Sequence, residues 1–211
     1  MLDSVAAFVQ AQAASPWVLV LVLVLAAADA FVPPVPSETV LIPLAALSVA
    51  ADGPPLVLLG LAAGVGAVVG DTAVFALGRR WGPARLAGLR RWSLLRRALD
   101  VAARTLVHRG GLVVVLARYV PAGRVAVGLT AGATGYPGRR FAGFAVLAAL
   151  SWSTWCVGVG ALAGRWMEGN PLLGAAAGLG VAVVLGLAAD RAGRSVLGRA
   201  RPFALSPREC Q

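Results

Sequence analysis

The sequence predicts an all-α integral membrane protein, built as an inverted repeat of two re-entrant broken-helix hairpins, each followed by a transmembrane helix. Hydrophobic residues make up 59% and charged residues 13% of the 211 residues, whereas a soluble domain is about 25% charged. Two apolar runs are long enough to cross a bilayer, and two pairs of shorter runs are each divided by proline. A further span of marginal length follows. We therefore expect one membrane domain over 1–190 and a basic cytoplasmic tail over 191–211.

The first hairpin is predicted over about residues 17–51. Its first arm ends at Phe31 and is shorter than the ~20 residues that a transmembrane helix needs. Three prolines between residues 33 and 36 then exclude a continuous helix. Ser37 or Glu38 is placed to cap the second arm. If it is buried, Glu38 is instead a carboxylate that can take up a proton.

The first span is predicted over about 56–77, where glycines 60, 64, 66 and 70 have the spacing of a close helix-packing face. Asp71 follows this face directly and is a candidate partner for an arginine or a proton carrier. The alternative is that Asp71 lies near the membrane interface and is solvated. Asp29, near the end of the first hairpin arm, is a further candidate for proton relay.

The basic segment over 79–110 holds nine arginines against one acid, Asp100, with tryptophan and leucine interleaved at helical spacing. This pattern is typical of amphipathic helices on a membrane surface, with arginines toward lipid phosphates. The positive-inside rule accounts for the charge, so we do not expect a nucleic-acid partner.

The second hairpin is predicted over 111–135, around Arg118-Tyr119-Val120-Pro121-Ala122-Gly123-Arg124. A charge at the bilayer centre costs about 2.5–3.5 kcal/mol on insertion scales, so two arginines here need a reason. Because Pro121 lacks a backbone N–H and Gly123 is conformationally free, we expect a helix break that presents both guanidinium groups to an anion. Alternatively, the arginines pair with Glu38 or Asp71 and hold the two hairpins together.

Spans at about 141–163 and 172–189 complete the membrane domain. Arginine counts in the loops place the N-terminus outside and the C-terminus in the cytoplasm. In an inverted repeat the interrupted helices meet near the midplane, which would bring Glu38 toward Arg118 and Arg124. With His108 as the only histidine, we expect no metal, no cofactor and no enzyme activity.

Three segments resemble a known family. They are Phe31-Val-Pro-Pro-Val-Pro-Ser-Glu38, Gly70-Asp71 followed by Phe75 and Gly78-Arg79-Arg80-Trp81-Gly82, and Arg118-Tyr-Val-Pro121-Ala-Gly-Arg124 with Ala131-Gly132 and Phe141. Over roughly residues 15–165 the chain resembles the DedA family, also called SNARE-associated or VTT-domain proteins. The spacing Arg-aromatic-x-Pro-x-x-Arg is the most specific of these elements.

The resemblance implies transport of lipids. Bacterial members are linked to the recycling of undecaprenyl phosphate and to the proton motive force, and eukaryotic relatives scramble phospholipids. The essential arginines and acids of the family correspond to Arg118, Arg124, Glu38 and, in the first hairpin, Asp52. We therefore expect a proton-coupled flippase for a lipid phosphate, most plausibly undecaprenyl or another polyprenyl phosphate, in the plasma (inner) membrane.

In this interpretation Arg118 and Arg124 hold the head group, with Tyr119 and Pro121 in the same stretch, and protonation of Glu38, together with Asp71, admits or releases it. Three alternatives stay open: a proton-coupled transporter of small ions or drugs, a phospholipid scramblase, and an envelope scaffold that transports nothing. The ion or drug transporter would need the acids but not both arginines. The sequence also leaves a homo-oligomer open.

Overall fold

The computed structural model describes residues 15–31, 37–50, 53–89, 111–118 and 123–166, and the single residues 99, 102, 106 and 180. This part of the chain folds into six helices and contains no strand. The helices are α1 (Trp17–Ala28), α2 (Glu38–Ala50), α3 (Leu56–Leu89), α4 (Leu112–Ala117), α5 (Gly123–Ala133) and α6 (Gly138–Trp166). The predicted span over 172–189, the tail, and most of the basic segment after Leu89 lie outside the described residues.

Two of these helices are long and apolar enough to cross a membrane, namely α3 over Leu56–Gly82 and α6 over Gly138–Arg165. The first of these stretches has 27 residues and the second 28, so each is ~40 Å long, against a hydrocarbon core of ~30 Å. By contrast, α1 has 12 residues and α2 has 13, which gives lengths of only ~18–20 Å. The all-helical class and the two long spans are therefore as the sequence predicts.

Both long helices extend beyond the predicted spans. Helix α3 continues past Leu77 to a break at Gly82, where the positive φ of 64° favours glycine. Helix α6 begins at Gly138 instead of Phe141. The added turns carry arginines with exposed side chains, Arg79 and Arg80 in α3 and Arg139 and Arg140 in α6. Hydropathy falls at these arginines, but the backbone hydrogen bonds of a helix do not require apolar side chains.

Helices α3 and α6 run antiparallel. Gly60 faces Val157 and Gly64 faces Ser153, so residue numbers rise along one helix as they fall along the other. Further along, the rings of Phe75 in α3 and Phe141 in α6 stack with centroids 4.5 Å apart. The ends that carry the exposed arginines of α3 and α6 therefore lie on the same side of the protein.

The shorter helices pack along the spans in defined directions. Helix α1 runs parallel to α3, because Gly66 contacts Leu23 and Gly70 contacts Ala27. Helix α2 runs parallel to α6, because Gly160 contacts Ile42 and Gly164 contacts Ala46. Since α3 and α6 are antiparallel, α1 and α2 also point in opposite directions. The glycine pairs thus form close helix contacts as predicted, but 60/64 and 66/70 face different helices.

Helices α1–α3 form one half of the described fold and α4–α6 form the other, and equivalent helices of the two halves make equivalent contacts. The first short helix of each half packs on the long helix of its own half, α1 on α3 and α4 on α6. The second short helix packs on the long helix of the other half, α2 on α6 and α5 on α3. Together with the antiparallel spans, this pattern supports the predicted inverted repeat.

Helix α3 has one exposed apolar face and one buried face. Exposed side chains recur every fourth residue along one stripe: Val57, Leu61, Val65 and Val69. The opposite side buries Leu59, Ala63 and Ala67 and also the carboxylate of Asp71. An apolar outer stripe with the ionisable residue inside is the arrangement expected of a helix in lipid.

Gly70 gives a direct test of this packing. A methyl group at Gly70 would lie 2.7 Å from Cβ of Ala30 and close to the carbonyl oxygen of Ala27. We expect Gly70→Ala to destabilise the protein by about 1–3 kcal/mol through overpacking, measured by thermal unfolding in detergent. The matched control is Gly143→Ala in α6, where a methyl group meets nothing within 4 Å. That variant should be neutral or gain up to ~1 kcal/mol from helix propensity, and equal losses in both would contradict this packing.

Candidate functional site

A buried cluster of charged side chains lies where all six helices meet, around Asp71 of α3 and Trp152 of α6. Both residues are close to the middle of the long apolar stretches and are less than a tenth exposed. Asp29 directly follows α1, and Glu38 is the first residue of α2. Arg118 directly follows α4, and Arg124 lies in the first turn of α5. Three carboxylates therefore share this cluster with two guanidinium groups.

Asp71 is the shared counterion of the two arginines. Its Oδ2 accepts a hydrogen bond from Nη1 of Arg118 at 2.8 Å, and its Oδ1 accepts one from Nε of Arg124. The side chain of Asp71 is 8% exposed. Asp71 therefore pairs with both arginines and is buried instead of solvated.

All three guanidinium nitrogens of Arg124 donate hydrogen bonds to other groups of the protein. Besides Asp71, it contacts Oδ2 of Asp29 through Nη1 at 2.9 Å and the carbonyl oxygen of Ala67 through Nη2 at 3.5 Å. Its guanidinium thus joins the end of α1, the middle of α3 and the start of α5. This is the structural role that the sequence left open for both arginines, in which ion pairs hold the two hairpins together.

Arg118 is bonded differently. Only Nη1 donates a hydrogen bond, to Asp71, while Nε and Nη2 are buried and have no partner in the described part of the chain. The side chain is 2% exposed, so these donors are not satisfied by bulk water. Nε–H and Nη2–H lie along one edge of the guanidinium and form the fork that binds carboxylate or phosphate with two parallel hydrogen bonds.

Asp29 and Ser37 close the tip of the first hairpin. The hydroxyl of Ser37 donates to Oδ2 of Asp29 at 3.0 Å, which links the residue after α1 to the residue before α2. The same carboxylate oxygen accepts the hydrogen bond from Arg124. Asp29, a secondary candidate in the sequence, therefore belongs to the cluster and connects α1 with α5.

Glu38 reaches the cluster through Trp152. Oε1 of Glu38 accepts a hydrogen bond from Nε1 of Trp152 at 3.1 Å, and the ring of Trp152 lies 4.6 Å below the guanidinium carbon of Arg118. The sequence predicted that Glu38 and the arginines approach each other. The structure brings Glu38 and Arg118 to the same indole, and no ion pair of the described residues joins Glu38 to an arginine.

Sequence reasoning missed Trp152 as a site residue. Tryptophan in membrane proteins is enriched at the two interfaces, whereas Trp152 lies near the centre of its span. This unusual depth is the sequence feature that could have identified Trp152 as a site residue. Three predicted site residues, Tyr119, Pro121 and Asp52, lie outside the described residues, so their contacts with the cluster stay predictions.

The cluster is closely packed on the side of the first hairpin. A crevice between α1, α2, α3 and α6 reaches Ser37 and Trp152 but leaves no room for a water-sized sphere. It is lined by Val22, Leu25, Ala26, Ser37, Val40, Leu41, Ala63 and Trp152.

The sequence model of the VTT domain matches residues 35–162, more than half of the chain. The chain belongs to the VTT-domain family. This is the domain of DedA and SNARE-associated membrane proteins, and membership indicates a membrane transporter of the DedA type. No curated protein and no solved structure matches the chain. In this VTT-domain protein the matched region includes Glu38, Asp71, Arg118, Arg124 and Trp152, whereas Asp29 precedes it.

Proposed function

We propose that this VTT-domain protein is a transporter and not an enzyme, and that it carries a lipid phosphate across the plasma (inner) membrane. Polyprenyl phosphate, such as undecaprenyl phosphate, is the favoured substrate because the resemblance of the sequence points to it. The observation that carries the proposal is the unpaired Nε–Nη2 edge of Arg118, buried near mid-span. A buried cationic fork without a partner is costly, and an anion with two oxygens satisfies it.

The proposal includes re-entrant hairpins that enter from opposite faces. Helices α1, α2 and α4 are too short to cross the membrane alone. Helix α1 enters along α3 and α2 returns along α6, with the tip held by Ser37 and Asp29. The second hairpin supplies Arg118 and Arg124 from the other side, so the interrupted helices meet at the midplane as in other transporters with inverted repeats.

The charge balance of the cluster supports coupling to protons. Three carboxylates already outnumber the two guanidinium groups, so a bound phosphate adds negative charge to a buried site with an excess of acids. Desolvation and the repulsion between like charges then favour uptake of a proton by one of them. Asp29, Glu38 and Asp71 are the candidates, with Asp52 as a fourth from the family resemblance.

We also propose that the exposed arginines of α3 and α6 face the cytoplasm. Arg79, Arg80, Arg139 and Arg140 are exposed on one side of the protein, while the end of α6 on the other side carries Arg165. By the positive-inside rule, the side with the larger number of arginines is cytoplasmic. The N-terminal end of α1 then lies outside, and the span predicted over 172–189 would return the C-terminus to the cytoplasm.

The test compares two lipids that differ only in charge. Purified wild-type protein in liposomes should translocate a labelled polyprenyl phosphate faster than protein-free liposomes do, and a pH gradient should change the rate. It should not accelerate a polyprenol of the same length, because an alcohol offers no anion to the fork. Transport of both lipids would favour a scramblase. Transport of neither would contradict the proposal and favour the ion transporter or the scaffold.

A further inference from the structure

Trp152 contacts both an acid and an arginine of the charged cluster, and the family resemblance assigns it no role. The indole N–H donates to Glu38, and the face of the same ring supports the guanidinium of Arg118. We propose that Trp152 is a positioning residue that couples the protonation of Glu38 to the orientation of the Arg118 fork. This role rests on the proposed transport of a lipid phosphate.

The geometry restrains the indole from two directions. Trp152 is 4% exposed, and a buried indole has a single N–H donor that needs a partner. That partner is Glu38, from the start of α2. The ring face is occupied by Arg118, which is attracted to it as a cation to an aromatic ring. Helix α6 thus carries one side chain that contacts both hairpins.

Glu38 is the carboxylate of the cluster that Trp152 contacts directly. Asp71 is held by both arginines, and Asp29 is held by Arg124 and Ser37. Glu38 has no ion pair within the described residues, and its Oε1 accepts a hydrogen bond from Nε1 of Trp152. The other titratable or charged groups that interact electrostatically with Glu38 across the packed helices are Asp29, Arg118 and Cys156 of α6.

Protonation of Glu38 changes both contacts of the indole. When a proton binds a carboxylate oxygen, the charge-assisted hydrogen bond from Nε1 becomes a weaker neutral one. The ring is then less firmly held at its N–H edge. The guanidinium of Arg118 rests on that ring and is bonded only through Nη1, so its free edge can turn. In this way proton uptake at Glu38 changes how well Arg118 binds a phosphate, although the two residues are not paired.

Two substitutions separate the contacts of Trp152. Trp152→Phe keeps an aromatic face under Arg118 and removes the N–H, whereas Trp152→Leu removes both. The matched control is Trp155→Phe on the same helix, because Trp155 is 56% exposed on the apolar surface. The readouts are the KM for polyprenyl phosphate and the pH dependence of its transport in liposomes, with folding checked by thermal unfolding in detergent.

We expect Trp152→Phe to move the midpoint of the pH profile upward by roughly 0.5–1 pH unit, since losing one hydrogen bond to the carboxylate favours its protonated form. The KM should rise, but by less than in Trp152→Leu, since the ring is no longer held at its N–H edge while the cation–aromatic contact remains. Trp152→Leu should also raise the KM by about fivefold or more. In a Glu38→Gln background, Trp152→Phe should cause no further change in the pH profile.

A folded Trp152→Phe variant with the wild-type pH profile would overturn this inference while leaving the transport function intact. If phenylalanine lowers the stability too far, Glu38→Gln tests the coupling instead, because its amide oxygen still accepts from Nε1 of Trp152 but takes up no proton. A folded Glu38→Gln variant with the wild-type pH profile would also overturn the inference. If the wild-type protein does not transport the polyprenyl phosphate, the proposed transport function is wrong, and the coupling that rests on it is wrong too. A Trp155→Phe control that shifts the profile equally would also contradict the assignment.

Discussion

Asp71→Ala is expected to lower the free energy of unfolding by about 3–5 kcal/mol, the cost of leaving a buried charge without its partner. Asp71 accepts hydrogen bonds from both arginines of the cluster. Its loss removes the only ion pair of Arg118 among the described residues and one of the two of Arg124. Because Arg118 is 2% exposed, water cannot replace the carboxylate unless the helices separate.

Thermal or denaturant unfolding in detergent measures this loss, with Thr72→Ala as the matched control one position along α3. The hydroxyl of Thr72 donates to Val68 and Val69 within its own helix, so its removal should cost no more than ~1 kcal/mol. Similar losses in the two variants would mean that the ion pairs around Asp71 do not hold the hairpins together.

Arg118→Lys is expected to reduce transport of polyprenyl phosphate by about 10–100-fold, the equivalent of one or two charge-assisted hydrogen bonds. Lysine retains the positive charge and can still pair with Asp71, but it cannot offer a second, parallel pair of donors to a phosphate. Arg118→Lys therefore removes the unpaired Nε–Nη2 pair of donors on which the proposed phosphate site depends. The variant should fold, so the loss should appear in transport rates and not in the unfolding temperature.

Arg124→Lys is the informative comparison for this substitution. Every nitrogen of the Arg124 guanidinium is bonded to Asp71, Asp29 or Ala67, so its replacement should lower stability more than Arg118→Lys does. Arg165→Lys, in an exposed position at the far end of α6, controls for the exchange itself and should change neither property. Equal transport by the Arg118→Lys variant and wild type would contradict the role of the fork.

Much of the fold follows from local features of the sequence. Apolar length identifies α3 and α6, prolines separate the short arms, and glycine spacing identifies the close contacts between helices. The arginines at the ends of the spans were harder to place. Arg79 falls in the predicted basic surface segment and Arg139 precedes the span predicted from 141, but both lie in helices that extend beyond the apolar run.

The pairing within the cluster could not be derived from the sequence in the same way. A charge buried at mid-span needs a partner, and this requirement offers Glu38 and Asp71 as partners for the arginines. It does not say which of three acids each arginine meets, because that choice depends on the directions in which the four short helices pack. Trp152 was missed for the same reason, since an indole in an apolar run is ordinarily a packing residue. Only the tertiary arrangement places its two contacts between Glu38 and Arg118.

The most direct measurement is the equilibrium binding of polyprenyl phosphate to purified protein in detergent, with polyprenol of the same length as the competitor. The free fork of Arg118 predicts that wild type binds the phosphate and that the alcohol does not displace it. It also predicts an affinity about tenfold or more lower for Arg118→Lys, and an unchanged affinity for Arg165→Lys. Equal affinity of wild type and Arg118→Lys for the phosphate, or displacement of the phosphate by the alcohol, would contradict a phosphate site at Arg118.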